Sequence, residues 1–204
     1  MPPALNLVRR EPRRLPAVLV TRVVHADQPR CRGRRRAQGH RSCACQQKRI
    51  ILNCLRLKPL EQVLPAAKAA GVGILARVPL ASGLLSGGYD ELTTFAPTDH
   101  RTYNRQGEAF DVGETFSGVP YGVGLAAVRA LAGVVPAGVT MAQFALRWIV
   151  DQPGVSAVIP GARNVGQVGG NVAAAEVAPL TAEQQAAVAE VYNTYVREHV
   201  HTRW

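Results

Sequence analysis

The sequence predicts an α/β fold in which parallel strands alternate with helices. Three short apolar runs that contain β-branched residues, at 49–57, 72–76 and 155–159, lead directly or after a loop into segments of helical character. The third run ends at Pro160 and Gly161, and a polar, helix-compatible segment begins at once. A proline cannot donate to the ladder of a sheet, so the strand must end there.

Helix signals separate these runs. Pro59 opens a helix that Gly71 closes, and Pro65 indicates a kink or a second start. Residues 121–135 are small and aliphatic and predict a second helix, and Thr140 caps a third. The apolar residues of the third helix share one face and predict core packing: Met141, Phe144, Ala145, Trp148 and Ile149. A last helix follows Thr181, and the tail beyond it, with His199 and His201, is expected to be an exposed end.

The charge divides the chain into two unlike parts. The 204 residues carry a formal net charge of +10. Residues 1–49 hold 12 Arg and one Lys against two acidic residues, a net charge of +11, whereas residues 50–204 carry −1. We therefore predict a basic segment at 1–49 and a globular segment at 50–204. With 47% hydrophobic residues overall, the chain can bury a sizeable core.

Two interpretations of residues 1–49 remain open. The segment is rich in arginine and lacks sustained periodicity, which is typical of a disordered basic arm. Arginine, proline, alanine and glycine are also encoded by GC-rich codons, so translation out of frame would give a similar composition. The choice decides whether the first part of the chain has any function of its own.

Neither a metal site nor a membrane segment is predicted. Cys43 and Cys45, with Cys31 and His40 nearby, suggest zinc, but their C-x-C spacing differs from the usual knuckle and no second ligand pair follows. No apolar run is long enough to cross a bilayer, and the N-terminus lacks the apolar core of a signal peptide. We expect a soluble, cytoplasmic protein without a membrane partner.

The first candidate site is the corner after the third strand. Gly161 permits close approach of a ligand to the backbone, and the first amides of the following helix favour an anion such as phosphate. Arg163, Gln167 and Asn171 recur every four residues and would form one stripe on that helix. Arginine suits a phosphate and an amide can pair with a base edge, although a solvated polar face would show the same pattern.

The second candidate site is the Gly- and Ser-rich loop 77–88 after the second strand. Ligands of parallel α/β folds bind at the carboxyl ends of the strands. Residues 89–119 have no sustained period, and we expect this long segment to cover the ligand face. Its candidate acids and bases lack a defined spacing and are expected to be surface polar groups: Asp99, His100, Glu108 and Asp111.

Two ordered motifs carry a family resemblance. NCLRLKPLEQVLPAAKAAGVGILARVPLASGLLSG, starting at Asn53, and FALRWIVDQPGVSAVIPGARN, starting at Phe144, resemble the carboxyl-terminal half of the aldo-keto reductases. These are (β/α)8 barrel oxidoreductases that use NADPH. The resemblance extends over 50–204 and implies a partial (β/α)8 TIM barrel, roughly its last four β/α units, with a disordered basic N-terminal arm.

The resemblance also implies a cofactor site for NADP(H) and a small-molecule carbonyl substrate. Four residues lie in the loop that cradles the cofactor pyrophosphate in the family: Pro79, Leu80, Ser82 and Gly83. Five fall where the family grips the 2′-phosphate and the adenine: Gly161, Ala162, Arg163, Gln167 and Asn171. Arg77 stands where many members place an aromatic ring against the nicotinamide, and a guanidinium plane can also stack.

The departures from the family concern catalysis. Its catalytic Asp, Tyr, Lys and His belong to the first four strands of the barrel, and residues 1–49 match none of their motifs. We therefore assign no catalytic residue. Arg49 stands where relatives commonly have Gln, so we expect the likeness to stop at the charge boundary. Gly169 and Gly170 precede Asn171 where relatives often have an acidic residue, and each glycine weakens that helix by up to about 1 kcal/mol.

Three functions follow, in order of preference. The first is an NADPH-dependent reductase of aldehydes or ketones whose upstream half was lost or mistranslated, and which is impaired because its proton donor is missing. The second is a non-catalytic NADP(H)-binding or half-barrel module, with open barrel edges that allow self-association. The third, non-specific nucleic-acid binding through the arginines, is disfavoured because the arm has essentially no aromatic residues for base stacking.

Overall fold

A single mixed sheet organises the part of the chain that the computed structural model describes, residues 21–22 and 47–203. Its strands are β1 (Thr21–Arg22), β2 (Gln47–Ile51), β3 (Gly73–Arg77) and β4 (Val155–Val158). Their spatial order is β1, β4, β3, β2. Strands β2, β3 and β4 are parallel, and β1 pairs antiparallel with β4. The described residues thus supply three parallel barrel strands, one fewer than the four expected.

Helices cover the sheet and join its strands. They are α1 (Val63–Ala69), α2 (His100–Tyr103), α3 (Tyr121–Ala132), α4 (Met141–Val150), α5 (Val165–Ala173), α6 (Ala182–Val191) and α7 (Arg197–Val200). A π-helical turn, Tyr192–Val196, connects α6 to α7. The parallel strands and their helices confirm the predicted α/β class and the partial barrel.

The first predicted strand is shorter than its apolar run suggests. It begins at Gln47, within the segment expected to be an arm, and ends at Ile51 instead of continuing to residue 57. The chain turns at Asn53, whose carbonyl oxygen accepts from the Arg56 amide at 2.8 Å and whose side chain accepts from the Leu55 amide at 2.9 Å. A local side-chain hydrogen bond of this kind competes with the strand ladder.

The structure confirms the helix starts that were predicted from capping residues. Thr140 and Thr181 each cap a helix, α4 and α6, by accepting from the backbone amide of a glutamine three residues later. Pro65 is the third residue of α1, where a backbone N–H would have no intrahelical partner. The proline therefore marks a second start, after a 3-10 turn at Lys58–Leu60, and not a kink.

The core lies between the sheet and the helices. The apolar face of α4 supplies three of its large side chains, and Phe144, Trp148 and Ile149 are at most 1% exposed. From the long segment after β3, Phe116 also enters this core at 1% exposure. The segment is therefore packed against the domain.

At the other end of the chain, His201 is only partly exposed and its Nδ1 lies 2.9 Å from the Tyr192 hydroxyl oxygen. The tail is therefore less exposed than expected.

Several predictions concern residues that the structure does not describe. Most of the basic arm, with its suggested disorder and the question of its reading frame, and all four zinc candidates fall outside 21–22 and 47–203, whereas Thr21–Arg22 and residues 47–49 of the arm lie in strands. Within those ranges, no group of three or more His, Cys, Asp or Glu side chains is arranged to hold a metal. The described helices also include none that is long and apolar enough to cross a membrane.

Candidate functional site

The strand register brings the two predicted sites to one edge of the sheet. Ala76 of β3 pairs with Val158 of β4, and the Ile159 amide donates to the Ala76 carbonyl oxygen at 2.9 Å. On the other side, Arg77 pairs with Ile51 of β2. Because all three strands are parallel, the loops that follow them leave from their carboxyl ends side by side. This is the edge at which ligands bind in such folds.

The loop after β3 has an unusual backbone. Val78, Ala81 and Ser82 have φ values of 52°, 48° and 54°, in the left-handed region that residues with a Cβ rarely adopt. Such conformations cost about 1–3 kcal/mol each and persist only where the surroundings impose them. Strain of this kind is concentrated at functional sites, which supports the choice of this loop as a candidate site.

Asn53 is one of the groups that impose this conformation, and the sequence analysis missed it. Its side-chain amide is fully buried and donates to the Val78 carbonyl oxygen at 2.8 Å and to the Ser117 hydroxyl at 2.7 Å. The signal that could have revealed it is an amide inside the otherwise apolar stretch from Ile50 to Leu55, because a buried amide must find partners.

Two predicted cofactor residues of the loop are held by the segment that follows. The Ser82 hydroxyl donates to the Glu114 carbonyl oxygen at 2.9 Å and accepts from the Phe116 amide at 3.1 Å. The Arg77 guanidinium forms an ion pair with the Glu114 carboxylate. Residues 111–118, which we call the covering segment, therefore lie directly on the loop.

The other predicted loop residues are positioned by packing. Pro79 is buried, and Leu80 and Gly83 are half-buried. Gly83 has a φ of 98°, and a Cβ added there would lie 2.3 Å from the Tyr89 hydroxyl oxygen. A larger residue would therefore clash with Tyr89 as well as strain the backbone. The loop has little room for substitution at this position.

The corner after β4 forms the second part of the site. Gly161 and Arg163 are exposed, whereas Ala162 is buried. The Arg163 side chain forms no ion pair with another described residue, and its backbone amide donates to Gln167 Oε1 at 2.7 Å. Asn164, which the sequence analysis did not single out, caps α5 by accepting from the Gln167 amide at 2.9 Å.

The three residues of the predicted stripe on α5 differ in their exposure to solvent. Arg163 and Gln167 are exposed, but Asn171 is only 6% exposed and donates to the Gly161 carbonyl oxygen at 3.2 Å. Asn171 therefore braces the corner from inside, and its amide nitrogen is already in use. The four-residue spacing correctly indicates a common direction on the helix, but the chain before α5 folds back over the last member of the stripe.

An open pocket of about 550 Å³ lies beside the loop. His100, Phe110, Asp111 and Glu114 line it. His100 Nε2 lies 3.4 Å from the Ser82 hydroxyl oxygen and its Nδ1 lies 3.4 Å from an Asp99 carboxylate oxygen. His100 and Asp111, expected to be plain surface groups, thus belong to a concave site, whereas Glu108 is exposed and accepts from the Gln106 amide.

Local contacts set the charge states around the pocket. Hydrogen bonds from Arg101 lower the pKa of the Asp99 carboxyl, which stays ionised at neutral pH. Partial burial lowers the pKa of His100 below its usual value, with the Asp99 charge opposing that effect. The imidazole is therefore mostly neutral at pH 7. By contrast, burial raises the pKa of the Cys54 thiol far above neutrality, so this buried cysteine is not a candidate nucleophile.

Comparison with known proteins identifies the family. The profile of the aldo/keto reductase family matches residues 35–193, more than half of the chain. The chain belongs to the aldo/keto reductase family. The match confirms the resemblance, and it begins at residue 35, upstream of the charge boundary. Members of this family generally use NADH or NADPH and act on small carbonyl compounds.

Two curated sequence relatives are plant proteins. Two probable voltage-gated potassium channel β subunits, from Arabidopsis thaliana and Oryza sativa subsp. japonica, are 32% and 33% identical over 134 and 133 residues. Each match covers 61% of this chain and 36% of the relative. The chain therefore spans about a third of the length of these curated relatives.

Solved structures of aldo-keto reductases share the fold. A glycerol dehydrogenase from Gluconobacter oxydans superposes with a TM-score of 0.57 and 28% identity, covering 78% of this chain and 44% of that one. An aldo-keto reductase from Bacillus halodurans, in its holo form, superposes with a TM-score of 0.50 and 23% identity, covering 72% of this chain and 42% of that one. Both cover less than half of the solved protein, in agreement with a partial barrel.

Proposed function

We propose that residues 50–204 form an NADP(H)-binding part of an aldo-keto reductase-like oxidoreductase for small aldehydes and ketones. Family membership supports the reaction class, and the site at the carboxyl ends of β2, β3 and β4 supports the location. The ten proposed cofactor-binding residues are those assigned from the sequence, in the loop after β3 and in the corner after β4, and the buried Asn171 would act by holding Gly161 in place. The cofactor, when bound, supplies or accepts a hydride.

The observation that carries this proposal is the exposed Arg163 beside the first turn of α5. The helix start supplies backbone amides and a partial positive charge, and the guanidinium adds a full charge with a fork of donors. Gly161 is exposed and has no heavy atom within 4 Å of an added Cβ, so a ligand can approach its backbone. A phosphate fits this chemistry, and we propose that it is the 2′-phosphate, which NADP(H) carries and NAD(H) lacks.

The loop after β3 fits the cofactor only after a rearrangement. The Ser82 hydroxyl and the Arg77 guanidinium are both engaged by Glu114 of the covering segment. For either side chain to contact a cofactor, its bond to Glu114 must weaken or break. We infer that the corner after β4 binds first, and that the loop contributes once the covering segment has moved.

We propose that these residues bind and orient the cofactor, and we assign the proton donor to none of them. General acid catalysis contributes about 10²- to 10⁴-fold to rates of this kind. The chain by itself should therefore bind NADP(H) better than it catalyses carbonyl reduction. Poor turnover with measurable binding is the expected combination.

Calorimetry with NADP⁺ tests this function. We expect binding to the wild-type chain, weaker binding by several-fold in Arg163→Ala, and weaker binding of NAD⁺ than of NADP⁺. Arg203→Ala is the matched control, because Arg203 is also exposed but lies near the end of the described chain. Equal losses of affinity in both variants would mean that Arg163 acts only through the overall positive charge of the chain and would contradict its assigned role. No binding by a cooperatively folded wild type would refute the proposal.

A second candidate function is a half-barrel interaction module. In the described part of the chain β2 pairs only with β3, and Gln47, Lys48 and Arg49 are exposed. An open strand edge is a template for pairing with another chain. The basic residues of β2 would repel the same edge of a second copy, so they disfavour pairing of β2 with β2. Sedimentation velocity over a hundredfold concentration range tests self-association. A species that remains monomeric throughout would rule it out.

A further inference from the structure

Ser82, His100 and Asp99 are arranged as a nucleophile, a base and an orienting carboxylate. His100 Nε2 lies 3.4 Å from Ser82 Oγ, and His100 Nδ1 lies 3.4 Å from Asp99 Oδ1. We propose that Ser82 is an acyl-accepting nucleophile, with His100 as its general base and Asp99 as the residue that orients His100, and that this group hydrolyses esters. The hydrolysis needs no cofactor, and because Ser82 is also one of the residues proposed to bind NADP(H), the cofactor and an ester would compete for it.

The charge of Asp99 favours the tautomer that this chemistry needs, through an ion-pair contact of 3.4 Å that is longer than a hydrogen bond. Its carboxylate is held by Arg101, which donates from its backbone amide at 2.9 Å and from Nε at 2.8 Å, so it stays in place and ionised. A carboxylate beside Nδ1 favours a proton on that nitrogen. The neutral imidazole then presents an unprotonated Nε2 towards Ser82. Both nitrogen contacts are long, and contacts of this type commonly tighten when substrate is bound.

The surroundings of Ser82 suit a reactive hydroxyl. Its hydrogen is donated to the Glu114 carbonyl oxygen, and rotation of the hydroxyl about its Cβ–Oγ bond can bring that hydrogen to His100 instead. The Phe116 amide donates to the same oxygen at 3.1 Å and fixes its position. Ser82 also has a left-handed backbone, with φ 54° and ψ 24°. Such a strained position at a turn is where nucleophilic serines are found in hydrolases.

The pocket beside His100 indicates the class of ester. Phe110 supplies an aromatic wall, and Asp111 and Glu114 supply carboxylates. Arg77 neutralises Glu114 through its ion pair, and the Arg56 guanidinium offsets the charge of Asp111. We therefore infer that small uncharged esters with an aromatic or apolar group bind here.

The reaction balances with water as the second reactant. Ser82 Oγ adds to the ester carbonyl carbon while its proton passes to His100 Nε2. The bond to the alcohol oxygen breaks, the alcohol leaves with that proton, and an acyl-serine remains. Water then adds to the acyl carbon with His100 again as base, which releases the acid and restores the hydroxyl.

Hydrolysis of p-nitrophenyl acetate by the full chain is the direct test. We expect p-nitrophenolate release above the buffer rate, and a loss of about a hundredfold in Ser82→Ala and in His100→Gln. Ser86→Ala is the matched control, because Ser86 is exposed in the same loop. His199→Gln controls for acetylation by other histidines. Both controls should keep the wild-type rate.

Two further measurements keep the test independent of folding. Peptide mass spectrometry of the wild-type protein, quenched after acetylation, should find the acetyl group on the Ser82 peptide. The rate should also rise with the deprotonation of His100, with a midpoint below 6.5, and this step should vanish in His100→Gln. Acetylation only at other residues, a wild-type rate equal to buffer, or a folded Ser82→Ala variant with full activity would each overturn the proposal.

Discussion

The side-chain amide of Asn53 donates to the Ser117 hydroxyl oxygen at 2.7 Å, across 64 residues of sequence. The same amide donates to the Val78 carbonyl oxygen at 2.8 Å. One buried side chain therefore joins the end of β2, the loop after β3 and the covering segment. The strained loop keeps its shape because Asn53 bonds both the loop, at Val78, and the covering segment beside it, at Ser117.

Removal of this amide should destabilise the whole domain. In Asn53→Ala the Val78 carbonyl and the Leu55 amide lose buried partners, and unsatisfied groups of this kind cost about 1–3 kcal/mol each. We expect the free energy of unfolding to fall by about 2–4 kcal/mol in urea titrations. Asn193→Ala, at an exposed position, is the control and should change it by less than about 0.5 kcal/mol. Equal midpoints for the two variants would contradict the assigned role.

The ion pair between Arg77 and Glu114 should oppose cofactor binding. Glu114→Ala releases the guanidinium and removes a carboxylate from the neighbourhood of a phosphate-bearing ligand. We expect the dissociation constant for NADP⁺ to fall several-fold in calorimetry. Glu108→Ala removes an exposed carboxylate from the same long segment and should leave the constant within twofold. Weaker binding in Glu114→Ala would show that the carboxylate supports the bound state.

The Thr140 cap of α4 should make a measurable contribution to the free energy of unfolding. Thr140 accepts from the Gln143 amide at 3.2 Å and completes a capping box. Thr140→Ala should lower the free energy of unfolding by about 1 kcal/mol, whereas Thr140→Ser, which keeps the hydroxyl, should retain most of it. Chemical denaturation of the three proteins side by side measures the difference. A loss in the serine variant as large as in alanine would assign the effect to the lost methyl group.

Acid should destabilise the contact between Asp99 and Arg101. The pKa of Asp99 is lower in the folded chain than its unfolded value of about 3.9, so its contribution to stability is fully present above that value. The contribution is lost as the pH falls below about 4 towards the folded pKa. Unfolding free energies measured from pH 5 to pH 2 should therefore fall less steeply in Asp99→Asn. Identical slopes in the variant and the wild type would refute this linkage.

The amino-acid sequence alone determined the features that depend on neighbours within a few residues. Thr140 and Thr181 were identifiable as caps, and Pro160–Gly161 as the end of a strand, because those hydrogen bonds and backbone restrictions are local. The two motifs starting at Asn53 and Phe144 were sufficient to indicate the family. The position of Arg163 beside a helix start follows from the same short-range pattern.

Only the tertiary structure decided which polar groups are available. Glu114 lies 37 residues from Arg77, so no local pattern could indicate that the guanidinium is already paired. Asn171 and Arg163 share a helix stripe, yet one is buried against Gly161 and the other is exposed. His100 similarly meets Ser82 across 18 residues. Periodicity defines directions on a single element, whereas burial and pairing depend on the chain segments that fold over it. Bringing those distant segments together costs conformational entropy, which only the contacts of the complete fold offset.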